Sequence, residues 1–162
     1  MVLYRLDDQP STPARCGRKR GAQSNAIGRS RGGPTTKVHL IVDALGLPVT
    51  FGLTEGQRND SVAAPPLIER VNPGCLLADK AYDTNPFRAV LDAVACTAVI
   101  PPMGNRARDF DYDKDLYKER SAVECTFNLL KQSRRFATRY EKTARNYAAV
   151  VALGCALLWL RL

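Results

Sequence analysis

CLLADKAYDTNPFRAVLDAVACTAVI, residues 75–100, decides the fold class. Cys75 to Asp79 is a short apolar run ending on an acid and reads as a buried strand. Pro86 to Ala93 reads as a helix, and Cys96 to Ile100 as a second buried strand, stopped by Pro101 and Pro102. Strand, helix, strand in this order implies a parallel pair with a crossover. Ligands in such sheets collect at the carboxyl ends of the strands, which is where Asp79 stands. A strand-end Asp is equally an ordinary turn or cap residue.

Working upstream, order begins near Thr36. KVHLIVDA is rich in branched residues and reads as a strand, Leu45 to Pro48 supplies a turn, and VTFGLT follows as a second strand, so a hairpin is expected. Asp60 or Ser61 is the expected cap of a short helix from Val62 to Arg70, with Pro65 and Pro66 disfavouring it beyond its first turn. Downstream, the last third from about Leu116 reads as helical, with a break near Tyr140 to Thr143 and Thr143 as a cap. The fold class is therefore α/β: a mixed sheet with an antiparallel hairpin at one side, parallel strands beside it, and helices packed around.

The amino-terminal stretch differs. From Gln9 to Val42 there is no acid, while Arg15, Arg18, Lys19, Arg20, Arg29, Arg31 and Lys37 lie among several glycines. It reads as a flexible basic arm over residues 1–34, leaving 35–162 as the folded domain. The whole chain carries 24 Lys plus Arg against 16 Asp plus Glu, a net charge of +8. Such a balance attracts polyanions, nucleic acid above all. The five cysteines are dispersed, which argues against a disulfide framework and a CxxC zinc site and fits a reducing cytoplasm. No signal peptide is visible, and the apolar run Tyr147 to Leu160 has fourteen residues where a membrane span needs roughly 20, so a buried helix is expected and a membrane is not.

Chemistry must come from acids. His39 is the single histidine and sits inside a predicted strand, which disfavours a Ser-His-Asp triad or a histidine metal site. No Walker-type loop or GxGxxG is present. The second acid of interest is Glu124 in YKERSAVECTFNLLK. On one helix, Tyr117 defines an origin from which Arg120 falls at roughly 300°, Glu124 at roughly 340° and Lys131 at roughly 320°. Val123, Phe127 and Leu130 fall beside this polar stripe and would seat the helix on the sheet. Ser121 and Glu124 also form a capping-box pattern, and a helix beginning at Ser121 would shorten the stripe.

Tyr117, Arg120, Glu124 and Lys131 resemble, without a gap, the Y-R-E-K signature of insertion-sequence transposases of the IS-four and IS-five type. GRSRGGPTTKVHLIVDALGLPVTF, LTEGQRNDS, LLADKAYD, VIPP, the signature and RFATRYEKTARNY follow in the order of the IS-five group, so the resemblance covers about Gly21 to Leu162. It implies a ribonuclease H-like catalytic domain whose two Asp and one Glu hold two divalent ions, Mg²⁺ or Mn²⁺. Asp79 matches the second acid and Glu124 the third. Tyr117, Arg120 and Lys131 match positions that contact DNA or support the acid. The implied reaction is cleavage of a transposon end followed by attack of the freed 3′-hydroxyl on target DNA. DNA is thus the implied partner, with phosphate contacts expected from Arg18, Lys19, Arg20, Arg29, Arg31, Lys131, Arg134 and Arg135. A homo-oligomer, or pairing with a full-length transposase, is the expected assembly.

One departure stands out. The family's first acid lies on the first core strand in a segment like DST-x-VRAH, whereas this chain reads MVLYRLDDQPSTPARCGRKRG there. No apolar strand and no matching motif are evident, so the first strand is expected to be lacking or distorted. Asp7 and Asp8 are the candidates for the first acid. A truncated or frame-altered product, catalytically inactive yet still binding DNA or the full-length transposase, is the alternative reading.

Overall fold

The structure, a computed structural model, describes residues 2–5, 9–10, 25–30, 33–104 and 111–161. Among these residues the strands are β1 (Val2–Arg5), β2 (Gln9–Pro10), β3 (Gly28–Ser30), β4 (Gly33–Val42), β5 (Pro48–Glu55), β6 (Cys75–Leu77) and β7 (Thr97–Val99). The helices are α1 (Asp60–Ala63), α2 (Pro65–Val71), α3 (Asn85–Ala93), α4 (Lys114–Lys118), α5 (Ser121–Lys131), α6 (Arg134–Ala137) and α7 (Ala144–Trp159).

All strands form one mixed sheet. β4 and β5 make the antiparallel hairpin, and Asp43 stabilises its turn by accepting from the Leu45 and Leu47 amides. β6 and β7 are parallel and joined through α3, in register from Cys75↔Thr97 to Leu77↔Val99. Between these halves lies β1, antiparallel to β4 (Val2↔Val42 to Arg5↔His39) and parallel to β6 (Val2↔Leu77). The expectation of a lacking first strand is thereby corrected: VLYR occupies the central position. Four residues ending on an arginine give little local strand signal, and two neighbouring strands supply the hydrogen bonds that define it. The arm reading of residues 1–34 is corrected at the same point, because Val2–Arg5, Gln9–Pro10 and Gly28–Ser30 belong to the sheet, the last two pairing with the start of β4. Asp7, Asp8, Arg18, Lys19, Arg20 and Arg31 lie outside the described residues.

Side chains alternate across a strand, so a strand covered on both faces is apolar throughout. β4 is buried on both faces from Thr35 to Val42, although Thr35, Thr36, Lys37 and His39 are polar. Val38, Leu40 and Val42 join Leu77 and Val99 in a core closed by Val123, Phe127 and Leu130 of α5, Phe136 of α6, and Tyr147, Val151 and Cys155 of α7. Ile41 joins Leu76, Ala78 and Ile100 in the opposite core, closed by Leu67 and Ile68 of α2 and by Tyr82, Phe87 and Leu91. His39 is fully buried and shares a hydrogen bond with Thr54 Oγ1, the structural role expected of it. Lys37 is buried too, its Nζ bonded to Asp60 Oδ1 at 3.1 Å and to the Arg58 carbonyl.

Local signals set the helix ends with two adjustments. Asn59, rather than Asp60 or Ser61, caps α1, and the two prolines open α2 instead of ending the helical stretch, since Pro is well placed in a first turn. Thr143 caps α7 as expected, through the Asn146 amide. Among the described residues no helix is long and apolar enough to cross a membrane. α7 nevertheless leaves Leu153, Leu157 and Leu160 exposed on its outer side.

Candidate active site

Asp79 follows β6 after Ala78 and caps a single 3₁₀ turn, Lys80–Tyr82, by accepting from the Lys80 amide at 2.6 Å. Its position at the strand's carboxyl end and its role as a cap therefore coexist. No described residue donates to its second oxygen, Oδ2.

Glu124 stands in the first turn of α5, the helix whose Val123, Phe127 and Leu130 rest on the sheet face shared with Leu77. The helix does begin at Ser121, and the capping box does not form: Arg120 is the cap and offers no side-chain bond. Tyr117 and Arg120 remain on the polar stripe because Glu119 and Arg120 keep right-handed helical dihedrals between α4 and α5. The Arg120 amide reaches the Tyr117 carbonyl, and the Val123 amide reaches that of Arg120.

That path brings the side chains together. Arg120 Nη2 donates to Glu124 Oε1 at 2.8 Å, and the Arg120 guanidinium lies 5.6 Å from the Tyr117 ring centroid. Tyr112 meets Tyr117 edge-on at 5.6 Å. Burial raises the Tyr117 phenol above its ordinary pKa, Arg120 opposes the shift, and the Asp79 charge adds to it. Glu124 Oε2 takes no hydrogen bond from a described residue. Lys131 ends α5 two turns beyond Glu124 and is half-buried, while Arg134 and Arg135 on α6 and Arg29 on β3 are exposed.

The donor set suits a hard cation. Asp79 and Glu124 each present a carboxylate oxygen that no described residue engages, the ligand type Mg²⁺ and Mn²⁺ favour. Among the described residues no group of three or more His, Cys, Asp or Glu side chains gathers as a metal centre.

Two charged residues escape a reading based on pattern. Asp83, with its side chain wholly buried, binds Arg88. Arg139, 1% exposed, donates through Nε to the Glu141 carbonyl and through Nη1 to Thr36 Oγ1 and the Ala26 carbonyl, and lies 5.1 Å from the Tyr147 ring centroid. Asp83 sits four residues after Asp79, the one sequence signal that could have drawn notice to it.

The fold is a mixed α/β sheet flanked by helices, with Asp79 just past the end of an inner strand and Glu124 in the first turn of α5. The family described as Transposase DDE domain matches residues 11–159, and the chain belongs to that family. It is 41% identical over 129 residues to a transposase attributed to insertion sequence element IS6501 of Brucella ovis, covering 78% of this chain and 99% of the relative. It is 30% identical over 146 residues to one attributed to insertion sequence element IS402 of Burkholderia cepacia, covering 83% of this chain and 66% of the relative. Among solved structures, a chain of the simian T-cell lymphotropic virus intasome in complex with PP2A regulatory subunit B56 gamma aligns with a TM-score of 0.44 at 14% identity, over 81% of this chain and 38% of that one.

Proposed function

We propose that this chain performs DNA-mediated transposition of an insertion sequence of the IS-four or IS-five type, with Asp79 and Glu124 as two of its metal-holding carboxylates. One observation carries the reading: in a chain of the transposase DDE-domain family, Arg120 joins Tyr117 to Glu124. The substrate is DNA, first a transposon end and then a target, and the assembly is an oligomer of this chain or a pairing with a full-length transposase in the bacterial cytoplasm.

Each residue has a task. Asp79 and Glu124 would hold a pair of Mg²⁺ or Mn²⁺ ions, which when bound activate an attacking oxygen and stabilise the leaving one. Arg120 fixes the Glu124 carboxylate and supplies positive charge beside it. Tyr117 packs under that guanidinium and keeps water from one side of the pair. Lys131, Arg134, Arg135 and Arg29 offer cations to DNA phosphates, extended by Arg18, Lys19, Arg20 and Arg31. The first acid belongs beside β6 on the β1 side of the sheet. Asp7 and Asp8 follow β1 closely in sequence and are its candidates.

The test is cleavage of an end-labelled duplex carrying a transposon end, in Mg²⁺, in Mn²⁺ and in excess chelator. Asp79→Asn and Glu124→Gln should each abolish metal-dependent cleavage while DNA binding persists. Cleavage at the unsubstituted rate by either variant removes that residue from the site. Binding without cleavage by the unsubstituted chain favours the inactive reading.

A further inference from the structure

We infer that the buried Asp83–Arg88 pair is a positioning device that locks the turn carrying Asp79 to the loop leaving β7. The inference rests on Asp79 being a metal-holding residue, as proposed above.

Asp79 and Asp83 bracket one 3₁₀ turn. Asp79 caps its start through the Lys80 amide, and the Asp83 amide closes its end on the Lys80 carbonyl at 3.0 Å. The backbone between the two carboxylates is therefore short and fixed at both ends. Asp83 points into the protein, its side chain wholly inaccessible. Both of its oxygens are used: Oδ1 accepts from Arg88 Nε at 2.6 Å and Oδ2 from the Met103 amide at 2.8 Å. Arg88 continues the chain of contacts, donating through Nη2 to the Ile100 carbonyl at 3.2 Å. The loop is thus held at Ile100 and again at Met103.

The residues between those anchors are Pro101 and Pro102, which have no amide hydrogen. A loop so built cannot fasten itself with backbone bonds, and a carboxylate from the neighbouring turn does it instead. A buried ion pair is poor value as a mere stabiliser, since apolar side chains of similar volume serve as well or better. What it contributes is direction, because the planar guanidinium holds Asp83 Oδ1 through Nε and the Ile100 carbonyl through Nη2 in one fixed arrangement, while Asp83 Oδ2 takes the Met103 amide. The parallel neighbours β6 and β7 end side by side, and this clamp sets how the chain after one meets the chain after the other. Asp79 stands on the first of these.

The test is isothermal titration of the full chain with Mn²⁺ alone, alongside thermal unfolding and circular dichroism. Asp79→Asn, Asp83→Asn, Arg88→Lys and Met103→Pro are compared. Outer partners of metal-holding groups typically change metal affinity by about 10–100-fold. Asp83→Asn should weaken Mn²⁺ binding within that range while remaining folded. Met103→Pro removes the amide donor to Oδ2 while leaving the Arg88 contact in place, and should weaken it less. Arg88→Lys keeps the buried carboxylate neutralised but loses the fork, so it decides the matter should Asp83→Asn fail to fold, and it should lower affinity at least about tenfold. Folded Asp83→Asn or Arg88→Lys protein binding Mn²⁺ like the unsubstituted chain, with Asp79→Asn impaired, overturns the inference alone. Absence of Mn²⁺ binding by the unsubstituted chain, or unaltered binding by Asp79→Asn, overturns the metal-site reading and the inference together.

Discussion

Replacing Arg139 with Ala should cost about 3 kcal/mol of stability. The Glu141 carbonyl would lose its Nε donor, and an orphaned buried acceptor costs about 1–3 kcal/mol. The guanidinium stacked on Tyr147 is desolvated, and such cation–π contacts contribute about 2 kcal/mol. Relief of the burial that lowers the Arg139 pKa offsets part of the loss. Thr36 Oγ1 still donates to the Ala26 carbonyl at 2.6 Å, so that acceptor adds nothing. Small domains have total stabilities of about 5–15 kcal/mol, so the loss would be a large fraction. Urea unfolding followed by circular dichroism is the assay. With a slope of about 1–3 kcal/mol/M the midpoint should fall by roughly 1–3 M at unchanged slope. Arg139→Lys retains the cation without the fork and should fall between. A midpoint for Arg139→Ala within about 0.3 M of the unsubstituted protein would refute the claim that the bond to the Glu141 carbonyl and the contact with Tyr147 stabilise the fold.

Gly46→Ala should destabilise by at least about 1 kcal/mol in the same assay, since Gly46 has φ +82° and a Cβ there would stand 3.1 Å from Thr126 Oγ1. Burial pushes the Cys96 and Cys155 thiols up to about 11 from 9.0. The folded state holds them neutral while the unfolded chain ionises, so their contribution is intact below about pH 9 and lost as pH rises through about 11. Cys155→Ala should make stability fall less steeply with pH across that window, and an unaltered slope counts against it. Among the described cysteines, exposed Cys125 should react first with a thiol reagent at neutral pH, read by mass spectrometry of digested protein. Neutralising Arg18, Lys19, Arg20, Arg29 and Arg31 together should flatten the slope of log affinity for duplex DNA against log salt by about 0.9 per lost phosphate contact. An unchanged slope means these residues do not touch DNA.

Legibility in the sequence tracked how local each cause was. KVHLIVDA and CTAVI announced strands through their branched and apolar residues, which the cores on the two faces of the sheet bury. Thr143 announced a helix start through its own side chain. VLYR did not, because its strand character comes from β4 and β6 on either side of it. The Tyr117–Arg120–Glu124 stripe could be placed by helical spacing alone, and it persists across the junction of α4 and α5 because residues 119–120 stay helical. How α5 lies over the sheet was not derivable from spacing. Asp83 and Arg139 were equally out of reach: the Met103 amide beside the one, and the Thr36 hydroxyl and Ala26 carbonyl beside the other, are brought near by tertiary structure.

The place of β1 has a consequence for how the chain reaches its native state. Val2 pairs with Val42 on one side and with Leu77 on the other, so the sheet's two halves are knitted through a segment whose partners are made long after it. During synthesis VLYR emerges before either partner and waits with both backbone edges open until β4 and then β6 appear. The β4–β5 hairpin and the β6–α3–β7 unit can each nucleate locally, but joining them requires this distant closure, which slows folding. A partly folded species with the two halves formed and the middle strand unpaired presents two bare edges at once, the form most prone to wrong pairing between chains. Refolding yield should therefore fall with protein concentration more steeply than the stability of the finished sheet would suggest.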